Sequence, residues 1–159
     1  MKHAVSIVIM AMILALAGCG TSTPSEPRAD MFSVKVEMPE AARAGETFVV
    51  EGALANGSRS EWKIEHGADM FTYAVFDEEG NPVLQDGSKY VHMIGFGKVL
   101  EPDESYSNDG EGHVLPPNNE LKLKAGSYTL VATAEFRIKH GGEDLPFKIQ
   151  SKPYPLHVS

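Results

Sequence analysis

The chain has 159 residues, and its 22 acidic against 14 basic side chains give a formal net charge of −8 with no long single-sign run. A hydrophobic content of 42% supports one packed domain and excludes general disorder, while the lack of a clustered basic face excludes nucleic-acid binding. Cys19 stands alone, which rules out an internal disulfide and a cysteine-rich zinc site and leaves the fold to its hydrophobic core.

Residues 1–18 read as an export signal. Lys2 supplies a positive start, and residues 4–17 are apolar or small apart from Ser6. That run falls short of the about 20 residues a helix needs to span a bilayer, and it fits the apolar segment of a signal peptide. It ends in Leu16-Ala17-Gly18-Cys19, which resembles the lipobox of bacterial lipoproteins. The resemblance implies cleavage after Gly18 and a diacylglyceryl group on the Cys19 sulfur; a plain secretory signal with an incidental cysteine is the alternative. Two or more acyl chains hold a protein stably where one does not. The mature protein is therefore expected at the extracytoplasmic face of the cell membrane, partnered with the bilayer through acylated Cys19. Residues 19–30 then form a tether rich in Ser, Thr and Pro, without the apolar periodicity needed to fold.

The folded unit is expected over residues 31–159. Phe32, Val34, Val36 and Met38 alternate with polar residues as in a half-buried strand. Residues 46–54 read as one strand with Phe48, Val50 and Leu54 on a shared face, followed by the turn Asn56-Gly57-Ser58. Trp62, Ile64 and His66 alternate in the next strand, with Trp62 expected in the core. Residues 67–90 read as an organising hairpin: an aromatic strand with bulk on both faces, the turn Asp77-Glu78-Glu79-Gly80-Asn81-Pro82, and a second strand. Residues 91–100 predict a bent strand or a loop with Met93 and Phe96 near the surface. Residues 107–120 look least ordered. A short alternating segment at residues 121–124 leads to a long strand over residues 125–136, in which Tyr128 occupies the position of a tyrosine corner. A charged loop at residues 140–144 precedes a last strand over residues 147–158, marked as irregular or at an edge by Pro153 and Pro155. Seven to nine short strands and no helix after the signal predict an all-β, immunoglobulin-like antiparallel sandwich.

The middle of the domain resembles the BsuPI-type intracellular proteinase inhibitor family. The features that carry the likeness are Gly67, the strand at residues 71–76, Asp77, Gly80, Val83 and Ser88-Lys89-Tyr90. They continue with Leu100-Glu101-Pro102, Glu104, Ser105 and Ala125-Gly126-Ser127-Tyr128-Thr129. The resemblance implies a small β-sandwich and, by analogy, serine-protease inhibition. Three departures stand out. Asp103 replaces the glycine of the Pro-Gly-Glu turn, Leu84 and Gln85 stand where a tryptophan follows Val83, and this chain carries an export signal. No reactive loop can be assigned.

Catalytic motifs are missing: there is no G-x-S-x-G elbow, no H-E-x-x-H and no phosphate loop opening a helix. No cofactor and no metal are expected. His66, His92, His113, His140 and His157 look too scattered to supply a ligand-spaced pair. Reading residues 105–116 as a calcium loop places Pro116 where a bidentate Glu is required. The expected function is non-catalytic binding of an envelope partner, with serine-protease inhibition as the alternative. If Cys19 carries the anchor, Cys19→Ser abolishes metabolic lipid labelling and releases the protein from membranes; unchanged labelling removes the lipoprotein reading.

Overall fold

A computed structural model describes residues 26–85, 87–110 and 112–159; Cys19, the signal segment and the first part of the tether lie outside them. Pro27 is already buried, and a single 3-10 turn over Ala29–Met31 leads into the first strand, so packing reaches the last residues of the tether stretch.

Thirteen strands follow. They are β1 Phe32–Glu37, β2 Thr47–Val49, β3 Glu51–Asn56, β4 Trp62–Gly67, β5 Phe71–Phe76, β6 Tyr90–Val91, β7 Gly95–Leu100, β8 Ser105–Ser107, β9 Val114–Leu115, β10 Glu120–Lys122, β11 Gly126–His140, β12 Glu143–Gln150 and β13 Tyr154–Val158. Nine of them build the expected antiparallel sandwich. One layer holds β1, β3 and β8, and the other holds β4, β5, β7, β11, β12 and β13. The remaining four pair as two ribbons, β2 with β10 and β6 with β9.

β11 is the spine of the larger layer. On one edge, residues 126–130 pair with β13 and residues 133–140 with β12. On the other, residues 129–134 pair with β5 and residues 137–138 with β4. Alternation places Leu130, Ala132, Ala134, Phe136 and Ile138 inward, all buried. Facing them from the smaller layer, Phe32 meets Phe136 edge-on at 5.2 Å and Phe147 at 5.7 Å. Trp62 joins this core, and its indole N–H donates to the Ser58 hydroxyl at 2.9 Å.

Five expectations change in detail. The strand at residues 46–54 breaks at Val50, whose N–H turns to the Asn119 carbonyl at 2.9 Å, because the chain crosses there from the β10 ribbon to the smaller layer. The second arm of the 67–90 hairpin does not form beyond one bridge, Phe76 with Pro82, and the bond from the Val83 N–H to the Val75 carbonyl. Pro82 has no N–H to extend a ladder, and the Gln85 side chain draws the following residues toward β10 by accepting the Lys122 N–H at 3.1 Å. Only one face of β5 is packed, with Phe71 and Val75 buried while Thr72 and Ala74 are exposed. The stretch at residues 107–120 is integrated into the fold: Val114, Asn118 and Asn119 are buried. The last strand divides into β12 and β13, with Ser151 filling the gap by accepting the Ala132 N–H at 3.0 Å on its hydroxyl.

Two sequence signals take on a larger role than expected. Asn56, the start of the Asn-Gly-Ser turn, is fully buried. Its Nδ2 lies within reach of the carbonyl oxygens of Ser60 (2.8 Å), Leu100 (3.1 Å) and Glu101 (3.1 Å), and its Oδ1 accepts from the Ser58 N–H and hydroxyl. Its backbone N–H reaches the Glu104 carbonyl, and its own carbonyl accepts the Asp103 N–H. One amide thus clips the turns on both sides of the sandwich rim. Asp103 has φ 61°, the one non-glycine with positive φ among the described residues. Tyr128 forms the expected corner, its hydroxyl donating to the Lys124 carbonyl at 3.1 Å.

Removing the Asn56 side chain strands the donors and acceptors around it, so Asn56→Ala is expected to lower stability by about 3 kcal/mol. Asp103→Gly relieves a left-handed backbone and is expected to gain about 0.5 kcal/mol, whereas Asp103→Val loses about 1 kcal/mol. Urea midpoints at unchanged slope measure all three.

Candidate functional site: a histidine and aromatic apex

Three of the histidines, His66, His92 and His113, come together in the folded protein, while His140 lies against Trp62. β6 and β9 pair Tyr90 with Leu115 and Val91 with Val114, and the His92 N–H extends the ribbon by donating to the His113 carbonyl at 2.8 Å. His92 and His113 are therefore cross-strand neighbours, with ring centroids 5.5 Å apart. β7 pairs with β4 in a register that sets Phe96 opposite His66. The His66 and Phe96 rings stack at 5.6 Å, and Phe96 meets His113 edge-on at 5.7 Å. Tyr106 on β8 lies 5.5 Å from His66, and Tyr90 lies 5.1 Å from His92. Six rings thus form one row across the end of the sandwich. The sequence hint for it is the interrupted apolar run at residues 90–97; the pairing of that run with residues 113–115 is set by tertiary structure.

His66 holds a definite protonation pattern. Its Nδ1 lies 2.7 Å from the Gly67 carbonyl, which only accepts, so Nδ1 carries the proton. Nε2 then accepts the Tyr106 hydroxyl at 3.1 Å, and the Asn108 amide donates to that hydroxyl at 3.2 Å. Burial pulls the His66 pKa below 6.5, partly opposed by the Gly67 carbonyl. Nearby, the Tyr73 hydroxyl accepts the Gly52 N–H at 2.7 Å, and burial pushes its pKa up to about 12.

Beside the row lies a groove of about 850 Å³. Glycines 67, 95 and 97 leave part of its wall without side chains, and His92, Met93 and Ile94 border it. Lys63, Glu65, Asp69 and Arg137 bring mixed charge, with Glu65 paired to Lys139 at 2.9 Å and Arg137 to Asp144 at 3.1 Å. The lining holds two carboxylates and two histidines but no serine, threonine or cysteine. Among the described residues, no cluster of three or more His, Cys, Asp or Glu could hold a metal ion. Cys19, where the sequence predicts lipidation, lies outside the described residues.

Tyr90 (64% exposed), Met93 (105%), Ile94 and Leu115 stand out of the surface around this row. Large apolar side chains grouped on an exposed rim mark contact surfaces in soluble domains.

No family model and no curated protein matches the chain. Among solved structures, it is similar to the ASH/PapD-like domain of human CEP192 (PapD-like domain 7), at 15% identity over 95% of this chain and 96% of that one, with a TM-score of 0.33. The assignment of the sandwich rests on the sheets described above.

The His66 pattern carries a pH signature. An unfolded histidine binds its proton near 6.5, and the folded one does so only at lower pH. Stability from this group is therefore present above about pH 6.5 and declines as pH falls toward the folded pKa. The urea midpoint should fall between pH 7 and pH 5, with a shallower fall in His66→Gln. Equal slopes in the two proteins would show that another group governs this range.

Proposed function

We propose that the protein is a non-catalytic binding module, anchored at the extracytoplasmic membrane face through acylated Cys19, that presents the histidine and aromatic apex to an envelope partner. The observation that carries this reading is the grouping of Tyr90, Met93, Ile94 and Leu115 around a built row of rings. Aromatic and Met side chains are the types favoured at contact surfaces. The stacked rings behind them restrict their motion, which lowers the ordering cost of binding. The groove lacks a side-chain nucleophile of the Ser, Thr or Cys type, which favours recognition over covalent catalysis.

A second reading, serine-protease inhibition, is favoured by one further observation. Asp103 adopts φ 61°, the conformation suited to the glycine of the turn in the family this chain resembles. Met93, fully exposed between β6 and β7, supplies a projecting side chain that a protease could engage.

The test places a photo-crosslinking amino acid at Met93 of the full-length protein in its native membrane, with a second position, Lys148 on β12, as control. The expected result is a discrete envelope adduct at Met93 that is lost in Ile94→Asp and not formed at Lys148. Equal labelling at both positions would remove the apex as the contact surface. In parallel, the protein is titrated against a subtilisin-type serine protease. Stoichiometric loss of protease activity with the chain uncut would move the second reading into first place, and undiminished activity would remove it.

A further inference from the structure

A second cleft, of about 380 Å³, lies between the β2–β10 ribbon and Leu84, Gln85, Lys89, Pro116 and Pro117. It shares no lining residue with the histidine-bordered groove. Its described lining is mainly basic in a chain of net charge −8: Lys89, Lys122 and Lys124 stand with one described acid, Glu120. Among the described residues, none of these lysines forms an ion pair with a carboxylate.

Two groups are held with donors to spare. Asn118 is buried, and its Nδ2 donates to the Phe71 carbonyl at 3.2 Å, which fixes the amide so that Oδ1 accepts from the Lys89 ammonium at 2.7 Å. That bond uses one of three ammonium donors. Burial lowers the Lys89 pKa, as for an ammonium lacking a counter-charge. Gln85 is oriented in the same way: its Oε1 accepts the Lys122 N–H, so its Nε2 is the free end, and that nitrogen is buried with no hydrogen-bond partner. A buried amide N–H₂ without an acceptor is rare in folded proteins and calls for a ligand or water that supplies one. The walls are apolar, with Leu84 86% exposed at the mouth beside Pro116 and Pro117.

We propose that this cleft binds a small amphipathic anion: a carboxylate or phosphate monoester head placed between Lys89, Gln85 and Lys122, with a short apolar body against Leu84 and the two prolines. The cleft is near the lower end of the ~300–1,000 Å³ range of small-molecule sites, and it combines apolar walls with a few convergent polar groups as such sites do. Ordered fixation of Asn118 and Gln85 by backbone partners means the donors are in place before binding. The head is an anion because, among the described lining residues, three of the four charged side chains are lysines and the fourth is Glu120.

The test follows the leucine methyl signals of the full-length protein by NMR during titration with hexanoate, hexyl phosphate, hexanol and hexylammonium. The expected result is saturable shifts at Leu84 and Leu121 with hexanoate or hexyl phosphate, and at least tenfold weaker effects with hexanol and hexylammonium. Lys89→Met should weaken anion binding at least fivefold while the remaining methyl spectrum stays unchanged. If that variant perturbs the fold, Lys122→Met, which alters an exposed side chain, should weaken binding in the same sense. Hexanol or hexylammonium binding as tightly as hexanoate would overturn the proposal. So would shifts that never saturate, or anion binding indifferent to both lysine substitutions.

Discussion

One strand holds the larger layer together. β11 is 15 residues long, well beyond the usual five or six, and it bears two successive strands on each edge. The junctions are offset. Where β13 gives way to β12, the gap at Ala132 is closed by Ser151 while β5 still pairs on the opposite edge. Where β5 gives way to β4, the Met70 carbonyl takes the Glu135 N–H while β12 pairs opposite. The spine is therefore never unpaired on both sides at once, and its buried backbone groups stay satisfied. Small Ala132 and Ala134 at its centre let the neighbouring strands and the facing layer approach, while Phe136 fills the wider end by stacking on Phe147.

The rim depends on buried polar groups as much as on apolar packing. Asn56 joins the turn after β3, the end of β7 and the turn before β8, and Tyr73 satisfies a backbone N–H at Gly52, where a side chain would collide with Phe71. Such groups add uniqueness because each has one arrangement in which its partners are met. They also hold β7 and β8 in the register that brings Phe96 and Tyr106 each to His66. The apex is thus a consequence of rim geometry.

β7 is the outer strand of the larger layer on that side, and its exposure as an edge is controlled. Lys98 points toward the sandwich interior and pairs with Glu104 at 2.6 Å, an inward charge of the type that discourages a further strand from pairing. This end accordingly presents side chains at the tip, where Met93 and Ile94 project, and the glycine-bordered groove beside them.

The alternation of Phe32, Val34 and Val36, of Trp62, Ile64 and His66, and of the stretch at residues 125–136 determined the strands and their buried faces directly, because a period of two has one interior face once a core exists. The Gly-Ser-Tyr sequence at residues 126–128 determined the corner, and the position of Asp103 after Glu101-Pro102 determined a turn. Pairing was decided elsewhere. Residues 83–85 are expected from sequence to continue the hairpin, but Pro82 and the reach of Gln85 to Lys122 direct them away from β5. The histidines at 66, 92 and 113 are far apart along the chain, and only the β6–β9 and β4–β7 registers bring them to one row. The lysine cleft is likewise invisible to local pattern, since Lys89 and Lys122 reach one cleft from segments far apart in the chain. Sequence periodicity reports which face of a segment is buried; it carries no information about which distant segment shares that face, and both sites are made of such distant pairs.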